Sequence, residues 1–223
     1  MDTAIVSGVG PLEGIGARLC LRFAGLGLHV LVAGRTQSSL DKVVAEIENQ
    51  GGQATAGVAD ATDEAATIKL FEQARAVGKI DLVIYNTGNN TPGRIEDMTA
   101  EFFETSWRVC CFGGFLYGRE AVQYMKQDGG GTILFTGASA SLRGRPNFGA
   151  FNSSKGALRN LANAMSKEYG KDLSHVGHVI VDGAVGGEKI RTRLPEYAER
   201  LGEDGLVSID AIIDVYQFMY QQP

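Results

Sequence analysis

Ser7-Gly8-Val9-Gly10-Pro11-Leu12-Glu13-Gly14-Ile15-Gly16 is the stretch on which the reading of this chain turns. The apolar run Ala4-Ile5-Val6 feeds into it, and the helical pattern Ala17-Arg18-Leu19-Cys20-Leu21-Arg22-Phe23-Ala24 leaves it. Strand, glycine-dense turn and helix, in that order, make a phosphate-binding arrangement. Glycines admit φ > 0 and let an anion come close to main-chain N–H groups. The helix N-terminus adds unpaired donors and a partial positive charge. Glycines alone describe an ordinary βα turn equally well; the strand-then-helix context is what points to a dinucleotide.

Outward from that turn, apolar strand-like runs alternate with amphipathic helices, which predicts a mostly parallel sheet covered on both faces. Residues 28–33 read as the second strand, 53–59 as a weaker third, 80–85 as the fourth, 131–136 as the fifth and 176–181 as the sixth. Helices are expected over 38–50, with Leu40, Val43, Val44 and Ile47 at core spacing, and over 63–77, 100–126, 148–169, 188–201 and 208–221. No linker, repeat or low-complexity segment interrupts the pattern, so residues 1–223 read as one domain.

The bulk numbers agree. The 223 residues are 44% apolar and 21% charged, with thirty glycines but only five prolines, a balance that suggests many tight turns rather than disorder. A net charge of −5 argues against nucleic acid or an anionic membrane as a partner, though an anionic cofactor needs only a local positive site. No apolar run reaches the ~18 residues of a membrane span. Met1 leads straight into the first strand, which leaves no room for a signal peptide. Three cysteines (Cys20, Cys110, Cys111) are an odd count without metal-ligand spacing, and a cytoplasmic setting is expected. His175 and His178 flank a strand and read as packing or surface residues rather than a metal pair.

A nicotinamide dinucleotide needs a phosphate turn, a reader of the adenosine ribose, and a surface at the ends of the central strands. After the second strand comes Gly34-Arg35-Thr36, with no acidic residue to pair a free 2′-hydroxyl. Arg35 is placed to meet a 2′-phosphate, so NADP(H) is expected over NAD(H). A solvated arginine on a turn is the other reading, and Glu13 is unhelpful to an added phosphate. Asp60 suits either the adenine amino group or an N-cap of the next helix.

Together the glycine turn, Asp60-Ala61-Thr62, the Asn86-Thr87-Gly88 turn, the strand-turn-helix of residues 133–164 and Asp182-Gly183 resemble the short-chain dehydrogenases/reductases. The resemblance covers essentially the whole chain. It implies a Rossmann-type doubly wound sheet in the order 3-2-1-4-5-6, usually extended by a seventh strand. It also implies cofactor contacts from Ser7, Gly8, Gly10, Gly14, Ile15, Gly16, Arg35, Asp60, Ala61, Asn86, Gly88, Lys155 and Gly183, and assembly into homodimers or homotetramers. After the helix that ends near Gln221 no apolar strand follows, so a seventh strand is expected to be missing or to lie outside the sequence given.

The resemblance breaks at the catalytic set. The family uses a tyrosine for proton transfer, a lysine that lowers the tyrosine pKa and holds the ribose, a serine that orients the substrate oxygen and an asparagine on the fourth helix. Aligned on Phe151-Asn152-Ser153-Ser154-Lys155, the lysine is Lys155, the tyrosine is Phe151, the serine is Ala138 and the asparagine is Cys110. Phe151 has no proton to give, so the usual relay cannot run as written. Ser139 is the adjacent hydroxyl, but in a pleat it would face away unless the strand has ended. Thr136, Tyr85 and Cys110 are further substitutes, each better read as structural. The turn is ambiguous too: from Gly10 the next glycines follow at four and six residues, from Gly8 at six and eight. The longer spacing resembles the divergent enoyl reductases, whose tyrosine position falls on Phe148.

Two functions follow. One is an NADP(H)-binding oxidoreductase with a non-standard site, in which Lys155 and Ser139 are the catalytic candidates. It would transfer hydride to a small carbonyl or an activated C=C. The other is an inactive dinucleotide-binding sensor or partner subunit, with Phe148, Phe151, Ala138 and Phe112 lining an apolar pocket. A fold relic that binds no dinucleotide is a third reading, opposed by the turn, Arg35 and Lys155.

Overall fold

A computed structural model describes residues 1–172, 175–193 and 195–222. The apolar runs become β1 (Thr3–Ser7), β2 (His29–Gly34), β3 (Gln53–Val58), β4 (Ile80–Tyr85), β5 (Thr132–Ala138) and β6 (His175–Val181). Between them run α1 (Ile15–Gly25), α2 (Gln37–Asn49), α3 (Glu64–Val77), α4 (Ala100–Trp107), α5 (Gly113–Gln127) and α6 (Gly149–Tyr169). The strands are paired in parallel in the order β3-β2-β1-β4-β5-β6, the expected Rossmann order. After β6 come β7 (Ala184–Val185), α7 (Glu188–Arg193), α8 (Pro195–Leu201), β8 (Leu206–Val207) and α9 (Ile209–Tyr220). β7 pairs with β8 outside the main sheet. The single helix expected over 188–201 is therefore two, with Leu194 outside the described residues.

The central strands are apolar throughout because helices cover both faces. Every residue of β1 is buried. On one face Ala4, Val6, Val30, Val32, Leu82, Ile84 and Leu134 pack against α1, α2 and α9. On the other, Ile5, Leu31, Val83, Tyr85, Ile133 and Phe135 pack against α3, α5 and α6. Each fully buried aliphatic side chain stabilises by about 1.5–3 kcal/mol, so this two-sided core fixes the sheet. β2 leaves β1 in one direction and β4 in the other, which opens a crevice between their carboxyl ends.

Capping residues place the helix starts. Asp63 accepts from Ala66 N at 3.0 Å and Thr99 from Phe102 N at 3.1 Å. The cap of α3 is thus Asp63 and not Asp60, a correction to the second of the two roles expected of Asp60. No helix among the described residues is long and apolar enough to cross a membrane.

The long helix expected over 100–126 is interrupted by one π-helical stretch, Arg108–Phe112, between α4 and α5. Such a bulge frees a carbonyl from its intrahelical partner. Here the buried Tyr85 hydroxyl, from the end of β4, donates to Val109 O at 2.6 Å. Gly113 makes room, since a Cβ there would strike that hydroxyl and stand 2.7 Å from Ala61 O. Tyr85 is accordingly a structural tyrosine, and burial pushes its pKa up. Tyr85→Phe should strand the Val109 carbonyl and lower stability by about 1–3 kcal/mol, read as a lower urea midpoint.

Between β5 and β6 the His178 ring occupies the space that a side chain on Gly137 would fill. Burial, and then the charges of Lys155 and Arg159, bring its pKa down to about 4. The ring is therefore neutral when folded but protonates near its ordinary value when unfolded, so stability is full above about pH 6.5 and falls as pH drops toward 4. His178→Asn should flatten the pH dependence of the melting temperature in that window.

Candidate functional site

The turn after β1 opens at Gly8, whose backbone is left-handed (φ 72). A Cβ there would lie 2.7 Å from Thr87 N, so β1 and β4 end in two turns that touch at this glycine. Gly16 plays the matching part in the first turn of α1: its Cβ would stand 2.8 Å from Gly8 O and 3.2 Å from Asn86 Nδ2. Around Gly10 there is open space. The contacts are made by Gly8 and Gly16, with Gly14 as the N-cap of α1. The Ser7 hydroxyl faces inward, buried, accepting from Asn86 N at 3.2 Å and from the Thr87 hydroxyl at 3.1 Å. It braces the two turns and does not point into the crevice.

An anion site needs free donors, and α1 has them. Gly14 supplies no side-chain cap, and the first turn from Ile15 contains no acidic residue. The contrast with the capped helices α3, α4 and α9 is direct. The start of α2, beyond β2, is also without a side-chain cap or an acid in its first turn. Arg35 lies exposed beside it, with no hydrogen bond or ion pair among the described residues. Asp60 accepts from the backbone and hydroxyl of Thr62, each at 2.8 Å, through Oδ1. The Thr62 backbone bond holds its pKa down, and the Arg35 and Arg108 charges add to that effect. Ala61 is buried. The uncapped N–H groups, the open space at Gly10 and the exposed cation at the tip of β2 fit the phosphates of a dinucleotide.

Across the crevice, Lys155 rises from α6 and is 4% exposed. Its Nζ donates to Thr136 O at 2.7 Å, its one hydrogen bond among the described residues. A Cβ on Gly88 would lie 3.4 Å from the same nitrogen, so the ammonium stands beside the turn after β4. The Phe151 ring lies one helical turn earlier, its centroid 5.9 Å from Nζ. Burial lowers the Lys155 pKa, and no carboxylate among the described residues is bonded to it. Cys110, in the π segment, accepts from Asn89 N at 3.4 Å through its sulfur and is fully buried.

β5 ends at Ala138, and Ser139 begins a 3₁₀ turn through Ser141. The strand has ended, so the pleat does not turn Ser139 away. Thr136 is committed: its hydroxyl donates to Asn86 Oδ1 at 3.1 Å and meets Tyr216 Oη at 2.5 Å. Phe112 is not a pocket liner. It stacks on Trp107 at 5.9 Å and lies 6.2 Å from Phe115, with Arg108 over its ring, on the outer side of the helix. Gly183 has φ 134, and the segment after it returns to the phosphate turn, where a Cβ on Gly187 would lie 2.8 Å from Glu13 O. Arg143 joins Asp182 at 3.0 Å, bridging the loops after β5 and β6. Two hydroxyls escaped the sequence reading. Tyr216 looks like any core aromatic of an amphipathic helix. Ser141 Oγ is buried and unbonded, and its one signal is its place three residues after Ala138.

The comparisons with known proteins agree with this geometry. Residues 3–185 match the family model described as short chain dehydrogenase. Versicolorin reductase 1 of Aspergillus parasiticus is 33% identical over 184 residues, 82% of this chain and 69% of that protein. A probable tetrahydroxynaphthalene reductase of Zymoseptoria tritici is 31% identical over 182 residues, 81% of this chain and 67% of its own. Among solved structures, a short-chain dehydrogenase from Rhodopseudomonas palustris is 32% identical with a TM-score of 0.84, covering 100% of this chain and 92% of that one. A 7α-hydroxysteroid dehydrogenase complexed with NADH and 7-oxo glycochenodeoxycholic acid has a TM-score of 0.87 at 26% identity, covering 98% and 87%. With its sheet order, its glycine turn and its buried lysine in place, the chain belongs to the short-chain dehydrogenase/reductase family.

Proposed function

We propose that residues 1–223 form one dinucleotide-binding domain of an NADP(H)-dependent oxidoreductase that reduces a small carbonyl or activated C=C compound. The observation that carries this reading is the pair of uncapped helix starts, α1 and α2, facing a buried lysine across the crevice. In this reading the main chain from Gly8 to Gly16, including Gly10, Gly14 and Ile15, holds the pyrophosphate. Arg35 meets the 2′-phosphate, Asp60 and Ala61 border the adenine, and Asn86, Gly88, Lys155 and Gly183 border the nicotinamide end. The choice of NADP(H) rests on Arg35, exposed in Gly34-Arg35-Thr36 where no acidic residue ends β2 to pair a free 2′-hydroxyl. The names of the relatives support the direction, since both are reductases.

The bound dinucleotide supplies hydride, and the chain must place the acceptor and deliver a proton. Phe151 and Ala138 have no hydroxyl to do so. Lys155 Nζ is the acid that remains, and its lowered pKa brings it nearer the range in which an ammonium gives up a proton. We assign it that role, with water filling the space left by the absent tyrosine hydroxyl, and the Ser139 hydroxyl holds the substrate oxygen. Phe148 and Phe151 supply an apolar wall, which suits a flat, unsaturated substrate better than a polyol chain. Assembly follows the same reading: Phe103, Trp107 and Phe115 are exposed on α4 and α5, and we propose that they pair copies into a homodimer or homotetramer. Alongside those exposed residues, Cys110, Cys111, Gly113, Gly114 and Leu116 are buried within the chain.

The second reading, a dinucleotide sensor or partner subunit, is favoured by one fact, the loss of both hydroxyls at Ala138 and Phe151. Fluorescence titration with NADPH and NADH, followed by turnover on enones, quinones and diketones, separates the two. Binding of NADPH in preference to NADH with turnover supports the reductase, whereas binding without turnover on any of them supports the sensor. Lys155→Ala should weaken NADPH binding about tenfold, the loss of one charge-assisted contact; unchanged affinity would remove Lys155 from the site. Phe151→Tyr combined with Ala138→Ser should raise carbonyl reduction by about 10²-fold or more, the usual contribution of a positioned proton donor.

A further inference from the structure

The last helix reaches the phosphate turn through a chain of hydrogen bonds that crosses three strands. Tyr216, on α9, is fully buried, and its Oη lies 2.5 Å from Thr136 Oγ. The Thr136 hydroxyl has one proton, which goes to Asn86 Oδ1 at 3.1 Å. The Tyr216 hydroxyl is therefore the donor of the short bond. Asn86 Nδ2 in turn donates to Gly8 O at 3.3 Å, and its backbone N–H donates to Ser7 Oγ. The chain runs in one direction: Tyr216 to Thr136 to Asn86 to Gly8. Lys155 is tied to the same threonine through its carbonyl.

Direction matters here because an amide has two unlike ends. Asn86 presents its NH₂ to Gly8 O and its Oδ1 to the threonine proton, so two bonds together fix the amide. With the Tyr216 hydroxyl gone, the Thr136 oxygen loses the donor that helps hold its hydroxyl in the rotamer serving Asn86. One of the two bonds that fix the Asn86 amide is then weakened, and a flipped amide would set oxygen against the Gly8 carbonyl. Gly16 packs against the same Nδ2, so both glycines of the turn feel the change. Buried bonds in series reinforce one another, since no water replaces a missing partner.

We propose that Tyr216 is a positioning residue for the dinucleotide turn, acting through Thr136 and Asn86 to hold Gly8 and Gly16 in the anion-accepting shape. It deepens the dinucleotide-binding reading given above and rests on it. Tyr220 provides the control, because it lies on the same helix and donates to Asp81 Oδ2 at 2.7 Å, near the opposite end of the sheet. Removing that hydroxyl takes a hydrogen bond from the same helix without touching the turn.

Two measurements on the full chain test this. Amide hydrogen exchange in the dinucleotide-free protein should be faster across Gly8 to Gly16 in Tyr216→Phe, and unchanged there in Tyr220→Phe. NADPH titration should show affinity reduced about fivefold in Tyr216→Phe, the scale of one buried hydrogen bond, and altered by less than about twofold in Tyr220→Phe. The proposal is overturned if Tyr216→Phe leaves both the exchange and the affinity of wild type, or if Tyr220→Phe changes them equally. Should the wild-type chain bind neither NADPH nor NADH, the dinucleotide reading falls while the exchange comparison still decides whether Tyr216 shapes the turn.

Discussion

The site depends on the contact between the ends of β1 and β4, where Gly8 lies against the backbone of Asn86 and Thr87. A doubly wound sheet splits at its switch point, and the two strands there would otherwise leave their last backbone groups facing an open crevice. Ser7 closes the gap by accepting from both residues of the facing turn, and Asn86 closes it from the other side through Gly8 O. Only a residue without a side chain fits between them. That constraint sets the height of the phosphate turn above the sheet, and with it the point at which α1 begins. The free N–H groups of α1 are aimed by this contact, not by α1 itself.

A second constraint works from the opposite wall. The π segment shifts the register between α4 and α5 by one residue, and Tyr85 holds the carbonyl thereby released. Because Tyr85 ends the strand that leads into the Asn86 turn, the same strand fixes both the phosphate side and the helix that carries Cys110. Cys110 in turn meets the backbone of Asn89. The crevice is thus walled by elements that share β4, and a shift in one is felt by the others.

Strands and their order were legible because burial on both faces leaves continuous apolar runs such as Ile80-Asp81-Leu82-Val83-Ile84-Tyr85, and the glycine turn carries its context with it. The interruption of the long helix was not, because Arg-Val-Cys-Cys-Phe is ordinary helical sequence and its cause sits on a strand 24 residues earlier. Phe112 was misplaced for a related reason: in the π turn it stacks on Trp107, five residues earlier, a spacing that a regular α-helix does not bring into register. Asp60 and Asp63 both suit a cap, and only the position of the first free N–H decides between them. Tyr216 was hidden because its partner on β5 is 80 residues away and periodicity marks only its buried face.

The catalytic end of the crevice poses the sharper physical question. Lysine is rarely buried without a carboxylate partner, because removing an ammonium from water is costly. Among the described residues, Lys155 is buried with one backbone carbonyl as acceptor and its ammonium over the Phe151 ring, a set that offsets only part of that cost. One of its three N–H groups is used among the described residues. Ala138 and Phe151 carry no hydroxyl, so the charged donor stays while two neutral ones are absent, and the hydroxyl that follows Ala138 along the chain is that of Ser139. With Phe151 and Ala138 in place of hydroxyl-bearing residues, the buried ammonium of Lys155 and the 3₁₀ turn that begins at Ser139 define the polar character of this end of the crevice.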